Sequence, residues 1–107
     1  MKNAPEIALS TGTLARIGQL FAAAEQPVVF QLLTEECGAN LPMMEDATPE
    51  SLERIRFAAL KLSGGDLARL FDVIRLAQVD WRDVLLAAGF ADDLRAHERW
   101  WPVGPPN

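Results

Sequence analysis

The chain has 107 residues and a formal net charge of -5, and 50% of its residues are hydrophobic and 23% charged. This composition excludes an extensively disordered chain, and the acidic balance disfavours contact with nucleic acid or anionic membranes. The chain has one cysteine, Cys37, which excludes an internal disulfide and a cysteine metal cluster.

Length predicts one domain over residues 1–107, and the single cysteine agrees with a reducing cytoplasm. No apolar run approaches the roughly 20 residues of a membrane span, and the opening MKNAPEIALS lacks the apolar core of a signal peptide. We expect no membrane partner, and we expect residues 1–10 and 103–107 to be loose ends. Eight of the ten basic residues are arginine, whose planar fork suits carboxylate pairs between helices, but we favour the simpler explanation of an Ala- and Arg-rich composition from a GC-rich genome.

In the first half of the chain, helical periodicity and helix-end signals predict where the helices lie. A first helix is predicted to begin at residues 10–13 and to run to Glu25. Residues 28–33 suit either a strand, because they open with Val-Val-Phe, or a helix, because apolar residues recur four apart behind Pro27. We favour the helix. Residues 39–47 are predicted to form a connecting loop.

The second half carries stronger helix signals. A helix is predicted from Thr48 to the Ser-Gly-Gly stop at residues 63–65, and Asp66 caps the next one. A last helix is predicted from residues 91–92 to Trp101, ended by Pro102. The expected fold class is therefore all-α, a single-domain bundle of five or six short helices with mixed crossing angles.

Residues 80–90, DWRDVLLAAGF, carry the clearest signals for the beginning and the end of a helix. Asp80 is predicted as the N-cap, with Val79 and Val84 as the apolar pair that sets the entry angle. Gly89 is predicted to end the helix in the left-handed conformation, with Phe90 packing back on it. We expect the large apolar residues of this segment to pack into the core: Trp81, Leu85, Leu86 and Phe90.

Residues 54–102 resemble a stretch found in small bacterial helical proteins of uncharacterised function. The parts that carry the resemblance are RFAALKLS, DWRDVLLAAGF and ADDLRAHERWWP. The resemblance implies a bacterial helical domain, and it implies no particular activity.

The closing residues offer a candidate protein interface. Trp100 and Trp101 precede a proline, and Arg95 and Arg99 lie one helical turn apart beside them. Tryptophan and arginine are the usual anchors of protein interfaces. The alternative is that one tryptophan closes the end of the core and the other is partly exposed.

A polar site is the competing interpretation. Asp93 and His97 share a face if this segment is an α-helix, with Glu98 adjacent, so they can offer ligands to a metal or orient an imidazole for proton transfer. A surface Asp/His pair explains the same spacing. No residue is assigned a catalytic, cofactor-binding or metal-binding role, and no cofactor is expected.

Nucleic-acid and phosphate binding are disfavoured by residue chemistry. Residues 66–88 have helix-turn-helix lengths, but Asp80 and Asp83 would repel phosphates from the second helix. The Gly64-Gly65-Asp66 turn lacks the Lys-Ser/Thr of a phosphate loop. We therefore expect a non-enzymatic protein–protein interaction domain that binds itself or a protein partner. The alternative is a small enzyme or ligand- or metal-binding domain that uses His97 with nearby carboxylates.

Overall fold

A computed structural model describes residues 8–38, 40–42 and 48–104. The elements are α1 (Thr11–Leu20), α2 (Gln26–Glu35), α3 (Pro49–Ser63), α4 (Leu67–Ala88) and a 3₁₀ turn (Ala96–Arg99). Throughout these ranges the only regular elements are helical, which confirms the all-α prediction and makes residues 28–33 part of a helix. The prediction of five or six helices is wrong, because the described residues form four α-helices.

Two differences account for the lower count. The helices predicted on either side of Val79 run together as α4, but the backbone leaves the helical region at Asp80, where φ is -158° and ψ is 98°, so the predicted boundary is present as a kink. The last predicted helix is reduced to one 3₁₀ turn, because the chain is extended at Trp100, where φ is -85° and ψ is 133°. The side chain of Arg16 binds the carbonyl oxygens of Glu98 and Trp100, which are then not used in helical bonds.

The first helix is also shorter than predicted. It ends at Leu20 because Phe21 is extended, with φ of -119° and ψ of 144°. The side-chain amide of Gln26 donates to the Phe21 carbonyl oxygen at 2.9 Å. The chain therefore reverses within residues 21–25, and α2 lies against α1.

Helix α3 is the centre of the fold. Thr48 and Ser51 cap each other reciprocally at its start, and Gly64, with φ of 60°, ends it in the left-handed region. Its residues 55–60 are all buried, and it packs against α1, α4 and the 3₁₀ turn. A helix buried over a full turn in this way needs neighbours on several sides, so α3 sets the positions of the other elements.

The signals of residues 80–90 are mostly confirmed. The carboxylate of Asp80 accepts from the Arg82 backbone N–H at 3.1 Å, and Gly89, with φ of 81°, ends α4. Phe90 is buried and its N–H donates to the Leu85 carbonyl at 2.9 Å, as a Schellman stop requires. Two expectations are wrong, because Val79 and Leu86 are exposed. The extended backbone of Asp80 turns Val79 outward, and Leu86 lies about 100° around the helix from buried Leu85.

Basic side chains of α3 donate hydrogen bonds to backbone carbonyls at the ends of two other helices. The buried Arg56 guanidinium donates from Nε to the carbonyls of Leu33 and Cys37 at 3.1 and 3.0 Å, at the end of α2. The Lys61 ammonium donates to the Ala88 carbonyl at 2.8 Å, at the end of α4. Carbonyls at helix ends have no intrahelical partner, so these side chains fix the C-termini of two helices against α3.

Parts of the predicted loose ends have defined contacts. Ser10 caps α1, and Val103 and Gly104 bind the side chain of Gln19. Residues 1–7 and 105–107 lie outside the described residues, as do residues 39 and 43–47 of the predicted loop. Among the helices that are described, none combines the length and the apolar character needed to cross a lipid bilayer.

Replacement of Gly38 by alanine should destabilise the fold. A Cβ there would lie 2.9 Å from Arg56 Nη2 and 3.0 Å from the Thr34 carbonyl oxygen. We expect Gly38→Ala to lower the free energy of unfolding by about 1–3 kcal/mol, measured by urea denaturation. Gly18→Ala is the control, because no heavy atom lies within 4 Å of its Cβ and alanine should stabilise α1 by up to about 1 kcal/mol. Equal effects of the two substitutions would contradict the close approach at Gly38.

Candidate functional site

The two predicted interface tryptophans are half-buried and in use within the molecule. The Trp100 ring packs on the core, with its centroid 6.4 Å from that of Phe57 and 6.5 Å from that of Phe90. The Trp101 ring covers Arg16, whose guanidinium carbon lies 3.5 Å from the ring centroid. Both rings therefore have internal partners and only part of each faces solvent.

The two predicted interface arginines form local ion pairs. Arg95 pairs with Glu98 at 2.9 Å, and Arg99 pairs with Asp93 at 2.7 Å. The backbone N–H of Arg95 and the Arg99 guanidinium both donate to Asp93 and lower the pKa of its carboxyl group. Exposed pairs of this kind contribute little to stability, so both arginines remain available at the surface.

The three residues of the predicted polar site have different partners in the structure. His97 is 3% exposed and meets Phe57 edge-on, with ring centroids 5.3 Å apart, and its Nε2 lies 3.5 Å from a carboxylate oxygen of Glu53. Asp93 and Glu98 bind arginines instead, because the 3₁₀ turn does not place residues four apart on one face. Over the described residues, no group of three or more His, Cys, Asp and Glu side chains could hold a metal ion.

The surroundings of His97 favour its neutral form. The approach of Nε2 to Glu53 assigns the proton to that nitrogen, and Nδ1 is buried with no hydrogen-bond partner among the described residues. Burial lowers the pKa of His97, and the nearby Arg54 acts in the same direction against Glu53 and Glu98. A second proton, on Nδ1, would leave a buried N–H donor without a described hydrogen-bond acceptor beside the rings of Phe57 and Phe90.

Arg16, for which the sequence predicted no role, attaches the C-terminal segment (residues 100–104) to α1. It is 3% exposed, and its guanidinium lies between the Phe57 ring, 4.0 Å from the centroid, and Trp101. It donates to the carbonyl oxygens of Gly12, Trp100 and Glu98 at 3.0, 2.9 and 3.3 Å. Desolvation lowers the pKa of this group. The available signal was its position as the single charge in the sequence of α1.

Gln19 continues the same attachment one turn further along α1. Its amide oxygen accepts from the Val103 N–H at 3.1 Å, and its amide nitrogen donates to the Gly104 carbonyl at 3.0 Å. Arg16 and Gln19 therefore hold the C-terminal segment, residues 100–104, along one side of α1.

The other side of α1 faces α2 across an apolar groove. This α1–α2 groove has a volume of about 490 Å³. Two large apolar side chains in its lining, Leu14 and Phe30, are 42% and 46% exposed. Its lining residues are Leu14, Ile17, Ala23, Gln26, Pro27 and Phe30.

The groove is distinguished by the absence of charge. None of its lining residues is charged, α1 holds only the buried Arg16, and α2 holds only Glu35, its last residue. A second cavity of about 510 Å³ borders His97 but mixes both signs, with Glu50, Arg54, Arg95 and Glu98 in its lining. Several other exposed apolar side chains adjoin charges in the sequence, as Leu94 does between Asp93 and Arg95.

Comparison with known proteins adds no relative. No family model, no curated protein and no solved structure matches the chain. The likeness of residues 54–102 to small bacterial helical proteins therefore stays a prediction. The geometry of the described residues is the basis for assigning a role.

Acidification should destabilise the protein through His97. Its pKa is lowered in the fold relative to the ordinary value of 6.5, so the unfolded chain binds a proton first. The free energy of unfolding should fall as pH drops below about 6.5 and level off once the folded protein is protonated too. Urea denaturation of the wild type between about pH 7.5 and pH 5 measures this loss.

His97→Gln is the control, because glutamine does not titrate. The pH-dependent loss should be absent from this variant over the same range, which lies above the ordinary carboxyl pKa values. An identical loss in both proteins would show that His97 is not its source.

Replacement of Arg16 by methionine should loosen the C-terminal segment. The substitution retains an apolar chain but removes three hydrogen bonds to carbonyls and the stacking between Phe57 and Trp101. We expect a loss of about 2–4 kcal/mol in the free energy of unfolding, measured by urea denaturation. Arg95→Met, at an exposed ion pair, should change it by less than about 1 kcal/mol. Similar losses in the two variants would contradict the role given to Arg16.

Proposed function

We propose that this chain is a non-enzymatic protein-interaction domain whose contact surface is the α1–α2 groove. The observation that carries the proposal is an uncharged concave surface, lined in part by half-exposed Leu14 and Phe30, on a protein with a net charge of -5. Concave apolar surfaces with few charges at their centre are typical of protein contact sites.

The energetics favour an apolar partner surface. Burial of apolar area stabilises a complex by about 25 cal/mol per Å², and the exposed parts of Leu14 and Phe30 supply such area. No charged group of the groove lining has to lose its hydration when a partner binds. A groove between two helices also suits a partner helix or a projecting aromatic side chain.

The attachment of the C-terminal segment supports the proposal from the opposite side of α1. Arg16 and Gln19 fasten this helix to residues 100–104, so one wall of the groove is held in place before a partner arrives. A preformed wall reduces the entropy lost on binding. In this proposal Trp101 acts mainly as a support for Arg16, and the exposed Arg95 and Arg99 belong to a secondary contact.

A ligand-binding or enzymatic role for His97 is the second candidate, and the mixed-charge cavity beside it is the observation in its favour. His97 is 3% exposed and its Nδ1 is buried, so neither ring nitrogen is presented to a substrate in this conformation. We therefore rank this role below protein contact.

Site-specific photocross-linking tests the contact surface. A benzophenone amino acid in place of Ala23, in the groove lining, should give adducts with protein in a lysate of expressing cells. The same amino acid in place of Ala87, which is exposed on α4, should give none. Leu14→Glu should suppress the adducts from position 23, because it places a charge in the groove, whereas His97→Gln should leave them unchanged.

Two results would overturn the proposal. Equal adduct yields from positions 23 and 87 would mean that the groove is not a preferred contact surface. Adducts at position 23 that survive Leu14→Glu but are lost with His97→Gln would favour the cavity beside His97.

A further inference from the structure

We infer that residues 96–104, the 3₁₀ turn and the C-terminal segment after it, form a pH-sensitive strap that detaches from the helices when His97 takes up a second proton. The observation that carries this inference is the burial of residues 91–104, among which His97 is the one buried residue. The residue that fixes the strap to the core is therefore also the single histidine of the chain. The inference goes beyond the proposed function and is independent of what binds the α1–α2 groove.

The His97 ring is placed where a second proton has no acceptor. Its centroid lies 5.3 Å from that of Phe57 and 6.3 Å from that of Phe90. The buried Nδ1 has no hydrogen-bond partner among the described residues, so a proton added there becomes a buried donor without an acceptor. Water supplies an acceptor only after the ring has left this position. Protonation therefore favours the detached strap.

Two carboxylates and one guanidinium act on the imidazole in opposite directions. Glu53 of α3, 3.5 Å from Nε2, and Glu98 of the turn favour the protonated ring, whereas Arg54 of α3 disfavours it. Burial has the largest effect, so the pKa of His97 in the attached strap is lowered from its ordinary value of 6.5. In the detached strap the ring is hydrated and its pKa returns to about 6.5, so acid favours detachment.

Two further cations lie on the elements that pack around the ring. Arg16 of α1 interacts with the carboxylate of Glu53, and Lys61 of α3 lies 4.9 Å from the centroid of the Phe90 ring. Arginine and lysine side chains are hydrogen-bond donors only. Neither of these cations can therefore accept a hydrogen bond from a protonated Nδ1.

The remaining attachments of the strap allow it to detach while the helices stay folded. The cluster of buried apolar residues contains none from the strap, and Ala96 and Trp100 pack against it with partial burial. Arg16 donates to two strap carbonyls, at 2.9 and 3.3 Å, and Gln19 makes two hydrogen bonds to the strap backbone. Water can replace these bonds, and detachment also returns the desolvated Arg16 guanidinium to water.

A cavity beside the turn provides space for the ring to move. This cavity, of about 510 Å³, is lined by the first turns of α3 and by residues 94–98, so the strap does not pack closely against the start of α3. Its lining includes the carboxylates of Glu50 and Glu98. An imidazolium that moves into the cavity therefore reaches both water and negative charge.

The uptake of one proton limits the size of the response. The ratio of detached to attached protein should rise by at most about tenfold for each pH unit, beginning below about pH 6.5. It should level off once the attached form is protonated as well. Detachment exposes Trp100 and Trp101, which are half-buried in the attached strap.

Acrylamide quenching of tryptophan fluorescence measures detachment in the full-length protein. Trp81→Phe removes the third tryptophan, and fluorescence lifetimes separate exposure to acrylamide from direct quenching by the imidazolium. We expect the bimolecular quenching constant to rise between about pH 7.5 and about pH 5, while the helical circular dichroism stays constant. Its midpoint should match that of the single imidazole in an NMR titration. If Trp81→Phe does not fold, fluorine NMR of the fluorotryptophan-labelled wild type replaces the quenching measurement.

Three further variants serve as controls. His97→Phe retains a ring between Phe57 and Phe90 and cannot be protonated, so the quenching constant should stay low at every pH. His97→Gln should also lose the pH dependence. Arg16→Met removes hydrogen bonds that hold the strap, so it should give a high quenching constant at every pH.

Three results would contradict the strap. A quenching constant that does not change with pH, whether or not the imidazole titrates, would mean that the strap stays attached. A loss of helical circular dichroism in step with the quenching would mean that the whole protein unfolds and that no separate detachment occurs. The same pH dependence in His97→Phe would assign the change to a different group.

Discussion

The attachment of α1 and of the C-terminal segment to the fold depends on a buried cation, the Arg16 guanidinium between Phe57 and Trp101. A charge removed from water is costly unless its donors are satisfied, and no carboxylate lies in direct contact among its described hydrogen bonds. Backbone carbonyls from α1 and from the C-terminal segment meet that requirement. The position of α1 on α3 and the extended path of residues 98–101 are therefore determined together, because neither satisfies the guanidinium alone.

The two sides of α1 have different roles: one is attached to the C-terminal segment and the other lines the groove proposed as the contact surface. The side of α1 that carries Arg16 and Gln19 is covered by the C-terminal segment, while the side that carries Leu14 faces the groove. The single charge of α1 therefore lies away from the groove, and none of the residues that line the groove is charged. The contact surface of the proposed function thus lies on the side of α1 that the C-terminal segment leaves uncovered. Basic residues of α3 act in a related way at the ends of α2 and α4.

Much of the helical fold could be predicted from local residue chemistry, and the candidate site could not. Caps at Thr48, Asp66 and Asp80 and the stop at Gly89 use atoms only a few residues away, so they are legible in the sequence. The reduction of the predicted last helix to a 3₁₀ turn could not be predicted locally, because Arg16, which binds the carbonyls of Glu98 and Trp100, lies 82 and 84 residues away from them in the chain. The groove was missed for a similar reason, since its two walls belong to separate helices and their relative placement has no local signature.

By itself, the sequence determined the all-α class, the residues at which most helices begin and end, and the uncharged character of α1 and α2, because these follow from side chains and from bonds spanning three or four residues. Only the tertiary structure decided that His97 is buried against Phe57, that Trp101 covers Arg16, and that Leu14 and Phe30 line one groove. Those outcomes depend on atoms from elements distant in the chain, which are brought together only when the helices pack on α3.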